Sequence, residues 1–167
     1  MSIDKTKYDA LVIGGGIAGQ EAALSLADMD YKVLLVDKEL SIGGKMIQLS
    51  KVFPTLDCAA CITTPKMSET ARHPNITLML NSQVGSIEKS EKHFGVKVNR
   101  KARFVKPEVC TGCQECEFAC PEVRPDDYNA RLAGRKVAYI PFSLANPRIA
   151  SIERQGESAP CINKCPG

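Results

Sequence analysis

Tyr8-Asp9-Ala10-Leu11-Val12-Ile13-Gly14-Gly15-Gly16-Ile17-Ala18-Gly19 is the stretch that decides the fold. A run of β formers ends on glycines, and Ile17, Ala18, Ala22, Ala23, Leu26 and Ala27 then recur at helical spacing as far as Met29. Lys32-Val33-Leu34-Leu35-Val36 follows as a second apolar run without polar alternation, the pattern of a strand covered on both faces. A strand, a helix and a second parallel strand joined by a right-handed crossover make a βαβ unit. The fold class is therefore α/β, a partial Rossmann-like domain.

Gly14, Gly16 and Gly19 stand in G-x-G-x-x-G spacing, after a strand and at the start of a helix, which is the context that gives this motif meaning. Gly14 permits the tight turn, Gly16 lets the backbone approach a pyrophosphate, and Gly19 lets the helix pack close to the strands. The helix N-terminus offers unpaired N–H groups and a partial positive charge to phosphate. Asp37, at the end of the second strand, is placed to accept hydrogen bonds from a ribose hydroxyl. Asp37-Lys38-Glu39 followed by Gly43-Gly44-Lys45 resembles FAD-binding two-dinucleotide flavoproteins. NAD alone does not call for that second glycine pair, so FAD is the expected cofactor. Its expected contacts are Gly14, Gly16, Gly19, Asp37, Lys38, Gly43, Gly44 and Lys45.

Eight cysteines in a chain with no export signal at its polar N-terminus point to metal or redox chemistry in a reducing compartment, here the cytoplasm. Cys110-x2-Cys113-x2-Cys116-x3-Cys120-Pro121 is the bacterial ferredoxin run, whose soft thiolates wrap a 4Fe-4S cubane. Zinc would pair two knuckles across a longer spacer, which this run lacks. Cys120 either completes its own cluster or joins a remote cysteine set, with Cys58 or Cys61 supplying the missing ligand. Cys58-x2-Cys61 has three readings: cluster ligands, a redox dithiol, or buried structural thiols. Lys66 and a helix N-terminus beside the pair would lower a thiol pKa and serve either of the first two. Cys161-x3-Cys165-Pro166 reads as the start of a further cluster domain or as tail thiols. His73, before Pro74, reads as a capping or surface residue, and His93 is isolated.

The remaining segments are less regular. Leu40 to Thr64 is irregular, and Pro65 starts a short helix that ends at Arg72. Ile76–Leu80 reads as a third strand, and Gln83–Glu88, Phe94–Val98 and Ala102–Val105 read as an antiparallel meander. Lys97–Lys106 is a solvated basic face, Lys136–Phe142 one more strand, and Asn146 onward a linker-like tail. The expected division is 1–106 for the dinucleotide part, 107–145 for the iron–sulfur segment and 146–167 for the linker and its cysteines. With a charge of +3 and no basic block, the chain lacks a nucleic-acid surface, and no apolar run is long enough to span a membrane. At 167 residues it is too short for a two-domain flavin and nicotinamide reductase, each of whose dinucleotide domains needs roughly 100–150 residues.

A flavin fingerprint, a glycine pair, a C-x-x-C and a ferredoxin run in this order resemble the A-type polypeptide of heterodisulfide reductase. The matching stretches are Val12–Gly19, Ile42–Met46, Phe53-Pro54-Thr55, Asp57–Lys66, Arg72–Ile76, Cys110–Pro121 and Arg135–Phe142. The tail Cys161–Pro166 looks like the start of the iron–sulfur domain of glutamate-synthase-type reductases. The resemblance implies an oxidoreductase of anaerobes in which FAD exchanges electrons with 4Fe-4S clusters, bound to other redox subunits. In some members the flavin splits electron pairs between two acceptors. Members of the family are several times longer, so the expectation is a fragment or a polypeptide completed by a partner. Two alternatives stay open: a flavin-dependent thiol–disulfide reductase using Cys58 and Cys61, and a non-catalytic iron–sulfur adaptor.

Overall fold

Val33-Leu34-Leu35-Val36 is buried at every position, and the parallel sheet is built around it. The computed structural model describes residues 6–153 and Cys165. It divides into two compact units, Met1–Arg100 and Lys101–Gly167.

The first unit runs β1 (Ala10–Ile13), α1 (Ile17–Asp28), β2 (Val33–Val36), a 3-10 turn at Met46–Gln48, β3 (Lys51–Val52), β4 (Asp57–Cys58), α2 (Ala59–Arg72), β5 (Ile76–Met79), β6 (Ser82–Lys89) and β7 (Phe94–Arg100). β2 lies between β1 and β5, parallel to both, with Ala10 opposite Val33 and Val33 opposite Ile76. Helix α1 packs on this sheet and on α2. Full burial of Val33 and Leu35 stabilises the centre by about 1.5–3 kcal/mol each. The buried face of α1 is Gln20, Ala23, Leu24 and Ala27, whereas Ala18 and Ala22 are exposed. Small apolar residues all round the helix do not identify its inner face by themselves.

Helix α2 differs from expectation. It begins at Ala59, and Pro65 sits inside it, where its missing N–H cannot pair with the Cys61 carbonyl. The hydroxyls of Thr63 and Thr70 donate back to the carbonyls of Ala59 and Lys66 at 2.8 Å each, which lets both be buried in the helix. His73 is the C-cap residue: its Nδ1 accepts from the Asn75 N–H at 3.2 Å, and its Nε2 lies 3.3 Å from Asp28. The meander is a two-stranded hairpin, β6 with β7, from Ser82 opposite Arg100 to Lys89 opposite Phe94, with an irregularity at Gly85. No third strand forms over Ala102–Val105, because the Arg103 carbonyl is taken by the Ile152 N–H at 3.1 Å.

The second unit holds α3 (Glu115–Phe118), β8 (Val123–Pro125), β9 (Gly134–Lys136), β10 (Ala138–Tyr139) and β11 (Ser151–Ile152). β8 pairs with β9 and β10 with β11, both antiparallel. The single strand expected over Lys136–Phe142 is thus divided, since its two halves pair with different partners. Two small clusters form the interior: Cys120, Val137, Ala138 and Ile152 in one, and Ile140, Ala145 and Ala150 in the other. Val105 and Cys116 pack against both. The segment from Asn146 is therefore no linker as far as Ile152, because Ala150, Ser151 and Ile152 are buried. The second compact unit begins at Lys101, and Val105 packs in its interior. The stretch Gln155–Ser158 and Cys161 fall outside the described residues. No helix among the described residues is long and apolar enough to cross a membrane.

Candidate functional site

In the first unit, the turn between β1 and α1 closes on Gly15. Its N–H donates to Asp37 Oδ2. Its carbonyl accepts from the Gly43 N–H at 2.8 Å and from Gln20 Nε2 at 2.9 Å. Asp37 Oδ1 accepts from the Glu39 N–H at 2.9 Å, and the carboxylate is buried. The carbonyls of Asp37 and Glu39 accept in turn from the N–H groups of Ser82 and Asn81, at 2.9 and 2.8 Å. Asp37 is thereby fixed from both sides at the end of β2.

The glycines divide by task. Gly14 has φ +103°, and a Cβ there would meet nothing within 4 Å, so the backbone is open above the turn. A Cβ on Gly19 would lie 1.9 Å from the Gly14 carbonyl oxygen, which shows how closely α1 approaches the turn. Gly44 has φ +61°, and a Cβ on it would lie 2.8 Å from the Gly16 Cα. The second glycine pair is thus a buttress laid directly on the first. Gly16 caps α1 without a side-chain hydrogen bond, and the first turn of the helix carries no acidic residue. An open backbone, uncapped helical N–H groups and a buried acid at the end of β2 fit the pyrophosphate and ribose of a dinucleotide. Lys38 is exposed, 3.8 Å from Glu39, and Lys45 is exposed at the start of the 3-10 turn. Gly15 and Gln20 are the site residues that spacing alone misses; the only signal is an amide in the first turn of an apolar helix.

Cys58 and Cys61 open α2 and are both exposed, which rules out buried structural thiols. Cys58 is the N-cap, and its Sγ accepts from the Cys61 N–H at 3.3 Å. Cys61 lowers the Cys58 pKa from the ordinary thiol value by hydrogen bonding through its side chain and backbone. The same pairing raises Cys61. Lys66 does not supply the charge expected of it: its Nζ lies 3.0 Å from Glu21 and 3.8 Å from Glu69, and the hydrogen bond to Glu21 raises its own pKa.

In the second unit, the ferredoxin run lies on an irregular loop and on α3. Gly112 has φ +70° and Gln114 φ +68°, left-handed turns that bend the chain on either side of Cys113. Cys110 and Cys116 are half-buried, Cys113 is exposed and Cys120 is buried. Cys120 Sγ donates to the Glu122 carbonyl at 3.8 Å. The described cysteines are free thiols, and four thiols in this spacing are the kind of donor set an iron–sulfur cluster takes. Among the described residues, no three His, Cys, Asp or Glu side chains are gathered in a metal-binding arrangement. Cys165 is exposed.

Residues 8–139 match the family model for pyridine nucleotide-disulphide oxidoreductases. The chain belongs to that family. Within this oxidoreductase family its relatives are A-type polypeptides of heterodisulfide reductase, as the motif order indicates. It is 44% identical over 155 residues to an A-type iron–sulfur polypeptide of the CoB–CoM heterodisulfide reductase of Methanopyrus kandleri, covering 90% of this chain and 24% of that protein. It is 45% identical over 153 residues to the corresponding iron–sulfur polypeptide of Methanocaldococcus jannaschii, covering 92% of this chain and 23% of the relative. The chain thus spans about a quarter of the length of these relatives. Among solved structures, L-proline dehydrogenase from P. horikoshii aligns with a TM-score of 0.54 at 24% identity, over 60% of this chain and 20% of that one. This likeness shows the Rossmann-like fold. Family membership supports FAD as the dinucleotide of the glycine turn.

Proposed function

We propose that this chain is an electron-transfer part of a heterodisulfide-reductase-like oxidoreductase, with FAD on the glycine turn and a 4Fe-4S cluster on Cys110, Cys113, Cys116 and Cys120. The observation that carries the reading is the presence on one chain of a dinucleotide turn locked by Gly15, Asp37 and Gly43 and of a complete ferredoxin cysteine run. When bound, FAD exchanges electrons singly or in pairs, and the cluster passes them one at a time. The backbone at Gly14, Gly16 and the start of α1 holds the pyrophosphate, and Asp37 orients the ribose. Gly19, Gly43 and Gly44 keep these parts in register. Lys38 and Lys45 flank the site from the surface. The four thiolates hold the cluster and set its exposure. A two-electron flavin and a one-electron carrier on the same chain are also the combination that electron bifurcation requires. The partners are other redox subunits, in keeping with relatives that are themselves named as subunits.

The test is anaerobic isolation with iron, sulfide and flavin counted per chain, together with the EPR spectrum after reduction. About four irons with matching sulfide are expected for one cubane. About eight would bring Cys58, Cys61, Cys161 and Cys165 into the ligand set as a second cluster. Zinc without sulfide sinks the proposal, and iron and sulfide without flavin, even with excess FAD present, favour a non-catalytic adaptor.

A second reading is favoured by the hydrogen bond between Cys61 and Cys58. It makes the chain a flavin-dependent thiol–disulfide reductase in which Cys58 attacks and Cys61 resolves. Alkylating these two thiols would then abolish turnover while iron and sulfide stay bound.

A further inference from the structure

The loop that carries the ferredoxin run is not held by the cysteines alone. Arg148 lies 34 residues beyond Gln114 in the chain, yet its Nη2 donates to Gln114 Oε1 at 2.8 Å. Its Nε donates to the Gly112 carbonyl at 3.4 Å, and its Nη1 to the Ser143 carbonyl at 2.7 Å. One guanidinium thus joins the residues on both sides of Cys113 to the segment that follows β10. The contact is intimate: a Cβ on Gly112 would lie 2.7 Å from the Arg148 carbonyl oxygen and 3.1 Å from its Cγ. The chain of bonds continues inward, since Gln114 Nε2 donates to Glu117 Oε2 at 3.3 Å. The same carboxylate oxygen accepts from the Ile140 N–H at 3.3 Å. Arg148, Gln114 and Glu117 therefore form a strap across the loop and α3, which bear Cys113 and Cys116.

We propose that Arg148 is a positioning residue for the iron–sulfur site, tying down the loop that carries Cys113 and setting the potential of the cluster by its charge. The inference rests on the cluster reading above. Two physical effects are separable. The planar fork spans Gly112 and Gln114 at once, which an ammonium group does not do. The fixed positive charge, bonded to the residues on either side of Cys113, favours the more negative, reduced cluster and so raises its reduction potential.

The experiment uses the full chain isolated anaerobically, as wild type, Arg148→Lys, Arg148→Gln and Gln114→Ala. Iron and sulfide are counted, iron release to a chelator is timed, and the potential is found by EPR-monitored titration. Arg148→Gln is expected to release iron about tenfold faster, as loss of a charge-assisted hydrogen bond implies, and to show a lower potential. Arg148→Lys is expected to regain the wild-type potential but still release iron fast. Gln114→Ala, which leaves the charge in place, is expected to release iron fast at unchanged potential. Wild-type release rates and potentials in all three variants overturn the assignment and leave the cluster reading standing. A wild-type chain without iron and sulfide overturns that reading, and the assignment with it.

Discussion

A side chain at Gly19 would drive its Cβ to 1.9 Å from a backbone oxygen, whereas one at Gly14 would meet open space at an unfavourable φ of +103°. Two glycines of one motif therefore do different physical work, and substitution separates them. Gly14→Ala is expected to cost about 1–3 kcal/mol of backbone strain while leaving α1 in place. Gly19→Ala forces α1 away from the turn, so the overpacking cost of about 1–3 kcal/mol or more comes with loss of flavin binding. Denaturant unfolding and a flavin fluorescence titration of both variants check this. Equal flavin affinity in the two variants would show that the close approach of α1 does not govern the site. Asp37 is legible in the sequence as an acid at the end of a strand. That its carboxylate also holds the N–H groups of Gly15 and Glu39 is not, because the bond to Gly15 joins residues 22 apart.

At the scale of elements, α2 is the instructive case. Pro65 reads as a helix start because proline is favoured in a first turn, yet the helix begins at Ala59 with Cys58 as its cap. Packing of Ala59, Thr63, Met67 and Thr70 on the interior outweighs the one hydrogen bond that Pro65 removes. The earlier start places both cysteines at the first turn, where Cys58 receives the Cys61 N–H. Cys58 is lowered and Cys61 raised, so Cys58 is a thiolate at a pH where Cys61 is still protonated. As pH rises, Cys58 is expected to be alkylated by iodoacetamide first, with an apparent pKa below the ordinary thiol value. Mass spectrometry of quenched samples gives the order. Cys61→Ala removes the principal cause of the shift, so Cys58 should then react only at higher pH. If the two thiols were alkylated in parallel, the asymmetry would be absent.

For the whole molecule, the two units differ in what supports them. The first has a parallel sheet and two long helices, while the second has paired two-stranded sheets, a helix of 4 residues and two small clusters that include or touch Cys110, Cys116 and Cys120. Metal binding contributes folding free energy where a preformed core is slight. Removing iron with a chelator under anaerobic conditions is therefore expected to collapse the dispersed amide NMR signals of residues 101–153 and to leave those of residues 6–100. Unchanged spectra in both units would mean that the second interior stands without the cluster. The strand–helix–strand order, the glycine turn and the cysteine spacing were determined by the sequence itself, since periodicity and short spacing express contacts between near neighbours. The tertiary structure alone decided that Gly43 and Gln20 close on Gly15, that Lys136–Phe142 is shared between two partners, and that Arg148 straps a loop 34 residues away. Such contacts depend on where distant segments meet in the folded chain, and no local pattern of residues encodes that meeting.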